Sequence, residues 1–201
     1  YFLEYEEAVT NDFILERGEQ RLDLLQKDVS TWTITFVDTG VEAPIGERLR
    51  RVAPYLEGEE MFLANYSDGL TDLHLPDLIE RFRASEAVGS FISIRPNLSY
   101  HFITATDEMG VVTGLEDVAT QDLRANGGFF VLRAGIFDHL LPNEDLVDKP
   151  FKRLMAKRAL LAHRYDGFWM AMDTFKDRQR LEDLYAQGNP PWAVWDRPQE
   201  R

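Results

Sequence analysis

At 201 residues with 44% hydrophobic content, the chain is long enough for one well-buried core and is expected to form a single domain over residues 1–201. Its 22 Lys plus Arg stand against 35 Asp plus Glu, and the formal charge of −13 argues against nucleic acid as a partner, while a local cluster of donors could still hold a small phosphorylated ligand. There is no cysteine, no apolar run near the roughly 20 residues of a membrane span, and an acidic opening, Tyr1-Phe2-Leu3-Glu4-Tyr5-Glu6-Glu7, unlike a signal peptide; disulfides, thiolate zinc, a cysteine nucleophile and a membrane partner are set aside, and a cytoplasmic location is expected.

Residues 32–38, Trp-Thr-Ile-Thr-Phe-Val-Asp, are β-branched and aromatic and run into Asp38-Thr39-Gly40, which predicts a strand and turn. The period then changes. Over residues 46–56, Leu49, Val52, Ala53 and Leu56 recur at spacings of three and four, the mark of an amphipathic helix interrupted late by Pro54. Residues 61–66 read as a buried parallel strand stopped by Ser67-Asp68-Gly69. Pro76 opens a helix to about Ala87, and Gly89 leads into a strand over 90–94. This βαβαβ order predicts an α/β fold with a mixed, mostly parallel sheet flanked by helices, and ligands beyond the carboxyl ends of the strands. Downstream, residues 101–118 read as a hairpin turning at Asp107, Glu108 and Gly110. Residues 127–132 read as a strand, 150–161 as a helix, 173–187 as a charged amphipathic helix, and 190–195 as an extended strap. No internal repeat or low-complexity tract interrupts this order.

Four stretches could carry chemistry. In Asn65-Tyr66-Ser67-Asp68-Gly69 a carboxylate follows a buried strand, beside a glycine that lets backbone approach a ligand; ordinary turns use the same pattern. In Met172-Asp173-Thr174, Asp173 stands at a helix start, where it could cap the helix or join Asp68 in holding Mg²⁺, a cation that favours one or two carboxylates with phosphate oxygens and water. Asn126-Gly127-Gly128 offers an amide for sugar hydroxyls and room for close backbone contact, or else a glycine bulge before an apolar strand. Pro44-Ile45-Gly46-Glu47-Arg48 sits at a helix start suited to a nucleotide phosphate, although Arg48 equally suits a solvated surface.

Taken in order, these stretches resemble the glucose-1-phosphate cytidylyltransferases, within the wider sugar-nucleotide pyrophosphorylase family. The likeness rests on Phe36-Val37-Asp38-Thr39-Gly40, residues 46–52, 66–69 and 126–131, Gly167-Phe168-Trp169, Met172-Asp173-Thr174 and Pro191-Trp192, which keep the family's order over almost the whole chain. The resemblance implies a Rossmann-like nucleotidyltransferase fold and transfer of a cytidylyl group from CTP to a hexose-1-phosphate, giving a CDP-sugar and pyrophosphate. It implies that Asp68 and Asp173 hold Mg²⁺, that Gly46, Arg48 and Tyr66 line the nucleotide side, and that Asn126 and Gly127 contact the hexose. It also implies a homo-oligomer. Two different readings stand beside it: a catalytically silent relative that binds a sugar nucleotide, and a uridylyl- or thymidylyltransferase.

Three departures accompany the likeness. The family's glycine-rich loop, with its Arg and following Lys, is expected ahead of Tyr1, so the chain alone is expected to be inactive. Where the family places Glu-Lys-Pro after the hairpin, this sequence has Glu116-Asp117-Val118-Ala119, and Arg124 is the nearest upstream cation to the Asn126 stretch. Around Tyr100-His101-Phe102 it also departs from the small residue that the family places near the sugar.

Overall fold

The computed structural model describes residues 13–16, 21–24, 32–96, 101–117 and 122–196. Two compact units divide the chain, residues 1–38 and 39–201. In the first, β1 (Phe13–Glu16) pairs antiparallel with β2 (Arg21–Leu24). The strand expected over 32–38 does not form. Propensity alone does not make a strand; a ladder does, and none among the described residues includes this segment, whose Trp32 and Phe36 side chains are exposed.

The second unit is built on a four-stranded sheet in the order β3-β8-β5-β9. Its strands are β3 (Met61–Asn65), β5 (Gly89–Ile94), β8 (Ala125–Arg133) and β9 (Leu160–Arg164). β8 runs antiparallel to β3 and β5 on either side, and β5 runs parallel to β9. The sheet is therefore mixed: three strands share one direction and the central β8 opposes them. Within the stretch 61–66, where a buried parallel strand was expected, a strand does form over Met61–Asn65, but it is antiparallel to its neighbour and only half-buried. β9 begins within the last two residues of the stretch expected to be a helix over 150–161. The helix stops at Ala156, and Arg158, at φ 55, turns the chain back along the sheet.

Period-two alternation sorts the sheet's side chains onto two faces. Ile92, Ile94 and Val131 join Leu73 and the fully buried Leu78 and Phe82 of α2 (Leu75–Arg83). On the other face, Phe130 and Leu132 pack with Ile136, Leu146, Phe151 and Leu154, the last two from α3 (Lys149–Ala156), and with Ile45 and Leu49 of α1 (Ile45–Val52). Because both faces are covered, β8 can be apolar almost throughout, and burial of each large side chain contributes about 1.5–3 kcal/mol. α1 passes into a 3-10 turn, Ala53–Leu56, where Pro54 denies the next amide hydrogen bond.

Two smaller ladders complete the unit. The hairpin β6 (His101–Thr106) and β7 (Val112–Asp117) forms where expected, its turn held by the Asp107 carboxylate accepting the amides of Met109 (2.9 Å) and Val111 (2.8 Å). β4 (Gly69–Thr71) pairs antiparallel with β10 (Trp169–Ala171), and α4 (Phe175–Ala186) follows. Tyr100, Val118 and Ala119 lie outside the described residues, as does most of 1–27. No helix among the described residues is long and apolar enough to cross a membrane.

Candidate active site

The β4–β10 ladder organises the carboxylates. Gly69 opposes Ala171, and beyond that pair the Met172 amide donates to the Asp68 carbonyl at 2.9 Å. Asp68 and Asp173, 105 positions apart in sequence, thus flank one end of one ladder, and both are exposed. The N-cap alternative for Asp173 is removed. Thr174 caps α4, accepting the Asp177 amide (3.2 Å), while Asp177 accepts the Thr174 amide (3.0 Å) in a capping box. Asp173 is left to face outward. Among the described residues no three His, Cys, Asp or Glu side chains cluster as a protein-only metal cage. Two hard carboxylates that leave the remaining positions to phosphate and water are nevertheless the donor set Mg²⁺ accepts.

Beside this pair a glycine bulge shapes the floor. On the β5–β8 ladder Phe91 opposes Phe130 and Ser93 opposes Asn126, so Gly127, Gly128 and Phe129 all stand opposite Ile92. A Cβ on Gly127 would lie 2.6 Å from the Ile92 side chain, and one on Gly128, whose φ is +74, would lie 2.6 Å from the Tyr66 ring. The bulge re-aims Asn126: its Oδ1 accepts the Gly128 amide (3.0 Å), and its Nδ2 donates to the Tyr66 hydroxyl (3.4 Å). Gly127 is buried, and its carbonyl accepts Trp169 Nε1 at 2.7 Å. Its glycine is thus demanded by packing, while Asn126 and Tyr66 present polar atoms at the bulge. Burial pushes the Tyr66 hydroxyl above its ordinary value, helped by the negative charges of Asp145 and Asp68.

Arg48 and Tyr66 line one largely apolar cavity of about 320 Å³, with Leu49, Ala64, Phe130 and Leu146 among its walls. Arg48 is committed to the preceding loop, donating to Ala43 O (2.8 Å), Val41 O (2.7 Å) and Thr39 Oγ1 (3.3 Å). Gly46 does not line the cavity. It is buried where a Cβ would lie 2.5 Å from the Glu144 carbonyl, so α1 starts in direct backbone contact with the 144–146 strap. Glu47, also buried, accepts from Arg50 (3.1 Å) and Arg51 (2.9 Å) on its own helix and ties that helix to the segment before Glu144 through the Asn143 amide (3.2 Å).

A second cavity, of about 350 Å³, opens at the carboxyl end of β5 and is lined by Ile94, Arg95, Tyr165, Asp166, Gly167 and Trp169. Sequence reading singled out neither Arg95 nor Asp166. The available signal was position, since both sit just past apolar strands, where α/β sheets bind ligands. Arg124 does not stand free as a replacement cation: it donates to Ser93 O (2.6 Å) and Tyr165 O (3.2 Å) and pairs with Asp166. Nearby, the Asp72 carboxylate accepts the Tyr165 hydroxyl and the Phe168 amide (2.7 Å), which fixes the loop leading into β10.

A scan against protein-family models gives no match. Among curated proteins, glucose-1-phosphate cytidylyltransferase from Salmonella typhi is 32% identical over 92% of this chain and 72% of its own length. A Bacillus subtilis protein named "Probable glucose-1-phosphate cytidylyltransferase" is 33% identical over 97% of this chain and 76% of its own length. Among solved structures, a Bacillus anthracis protein named "Putative Glucose-1-Phosphate Thymidylyltransferase" superposes with a TM-score of 0.54 at 13% identity. That match covers 80% of this chain and 65% of the solved one, and it shows the shared fold.

Proposed function

Because the chain belongs to the glucose-1-phosphate cytidylyltransferase family, we propose that the protein transfers a cytidylyl group from CTP to a hexose-1-phosphate, releasing pyrophosphate. A sugar-phosphate oxygen attacks the α-phosphorus of CTP, the bond to the bridging oxygen breaks, and pyrophosphate leaves with the electron pair. No covalent enzyme intermediate is needed, so the protein's task is alignment of the two substrates and neutralisation of charge.

The register that places Asp68 and Asp173 at one end of the β4–β10 ladder carries this reading. These two residues would hold Mg²⁺, which supplies neutralisation of the phosphate charge when bound. Tyr66 and Arg48, on the wall of the apolar cavity, serve the nucleotide side. Asn126, held by the bulge with its amide turned to the Tyr66 hydroxyl, is positioned to read a sugar hydroxyl.

The test is pyrophosphate release by the full-length protein with Mg²⁺, each of CTP, UTP and dTTP, and a panel of hexose-1-phosphates. Turnover with CTP and one hexose-1-phosphate is the expected result. A preference for UTP or dTTP would reassign the base. Silence with every pair, together with measurable CDP-sugar binding, would replace the enzyme by a binding relative.

A further inference from the structure

Extending the β5–β8 register by one step, from Ile94 opposite Ala125, sets Arg95 opposite Arg124. Like charges directly across a ladder repel. One carboxylate separates them: Asp166 pairs with Arg124 and lies 3.5 Å from Arg95 Nε. Arg164, on β9 and level with Ser93, takes Asp122 as its partner at 2.8 Å. Among the described residues these ion pairs set three guanidiniums against two carboxylates, a local positive remainder in a chain of net charge −13. The Arg124 hydrogen bond holds the Asp166 carboxyl below its ordinary value, so Asp166 is ionised at neutral pH and the remainder is present there.

The two arginines differ in freedom. Arg124 is 12% exposed and fixed to two backbone carbonyls, whereas Arg95 is 57% exposed and borders the 350 Å³ cavity. Trp169 joins this cavity to the bulge, lining the one and donating to Gly127 O of the other. An anion that entered here would meet an exposed guanidinium, with an aromatic wall leading to Asn126.

Resting on the cytidylyl-transfer reading above, we propose that the cavity between Ile94, Arg95 and Trp169 receives the phosphate monoester of the hexose-1-phosphate, with Arg95 as its cationic contact and Arg124 holding Asp166 in place. The forked guanidinium can donate two parallel hydrogen bonds to a phosphate, and contact with a charged partner of this kind is worth roughly ten- to a hundredfold in binding.

The full-length enzyme and its Arg95→Gln and Arg95→Lys variants test this by KM for glucose-1-phosphate and for CTP, together with calorimetric titration of glucose-1-phosphate and of unphosphorylated glucose. Arg95→Gln is expected to raise the glucose-1-phosphate KM and Kd by roughly tenfold or more, with the CTP KM and glucose binding unchanged and with part of the loss recovered in Arg95→Lys. Glucose-1-phosphate constants unchanged in Arg95→Gln would overturn the assignment and leave cytidylyl transfer standing, as would an equal rise in the CTP KM, which would place Arg95 on the nucleotide. A wild-type enzyme that binds glucose-1-phosphate with Arg95-dependent affinity yet transfers nothing would support the anion site and overturn the reaction instead.

Discussion

The Met172 amide and the Asp68 carbonyl meet at 2.9 Å, one step past the last pair of the β4–β10 ladder, so the register of that ladder brings Asp68 and Asp173 to the same end of it. Neither carboxylate is buried, and replacing either removes charge without opening a cavity. Asp68→Asn and Asp173→Asn are each expected to lower Mg²⁺-dependent pyrophosphate release by about 100-fold or more while leaving the melting temperature unchanged. Activity within a factor of two of wild type in either variant would remove that residue from the metal pair.

Thr174, and not its neighbour, caps α4. Thr174→Ala should therefore cost about 1 kcal/mol in denaturant unfolding, and Asp173→Ala close to nothing. The reverse ranking would restore Asp173 as the cap and weaken its assignment to a metal.

Gly128 and Gly188 both hold positive φ, +74 and +80, but only a Cβ on Gly128 would meet a neighbour within 4 Å, the Tyr66 ring. Gly188→Ala should lose about 1 kcal/mol from backbone strain alone, and Gly128→Ala about 1–3 kcal/mol more from overpacking. Urea unfolding of the two variants separates the terms, and equal losses would show that the Tyr66 ring moves aside at no cost.

The Arg50 and Arg51 guanidiniums, with the Asn143 amide, hold the Glu47 carboxyl at about 2, below its ordinary 4.5. A depressed acid stabilises the fold fully above its unfolded value and loses that contribution as pH falls through the folded one. Thermal unfolding from pH 7 to pH 2 should show wild type losing stability below about 4.5, while Glu47→Gln starts lower at neutral pH and changes less over the same window. Parallel curves would mean that Glu47 contributes no pH dependence.

Much of this architecture could be read locally. Leu49, Val52 and Leu56 mark a helix by spacing; Asp107 and Gly110 mark the hairpin turn; the apolar run after Gly127 marks the central strand. Such signals act within a few residues, where backbone geometry and side-chain period are set. Where local pattern misled, a distant partner decided. Residues 32–38 carry strand propensity but join no ladder among the described residues, and Leu160 to Arg164 became a strand because β5 offered a parallel edge.

What the sequence by itself determined is therefore the inventory: an acidic, cysteine-free α/β chain with Asp68, Asp173, Asn126 and two glycines at the ends of its apolar strands. Only the tertiary structure decided how these meet. It aligned Asp68 with Met172 across 104 positions, buried Gly46 and Gly127 against backbone and Ile92, and set Arg95 against Arg124 with one aspartate between them. The physical reason is that the period along one segment fixes which face it buries, whereas which segments pair, and in what order and direction, is set by hydrogen bonds and packing between stretches far apart in the chain.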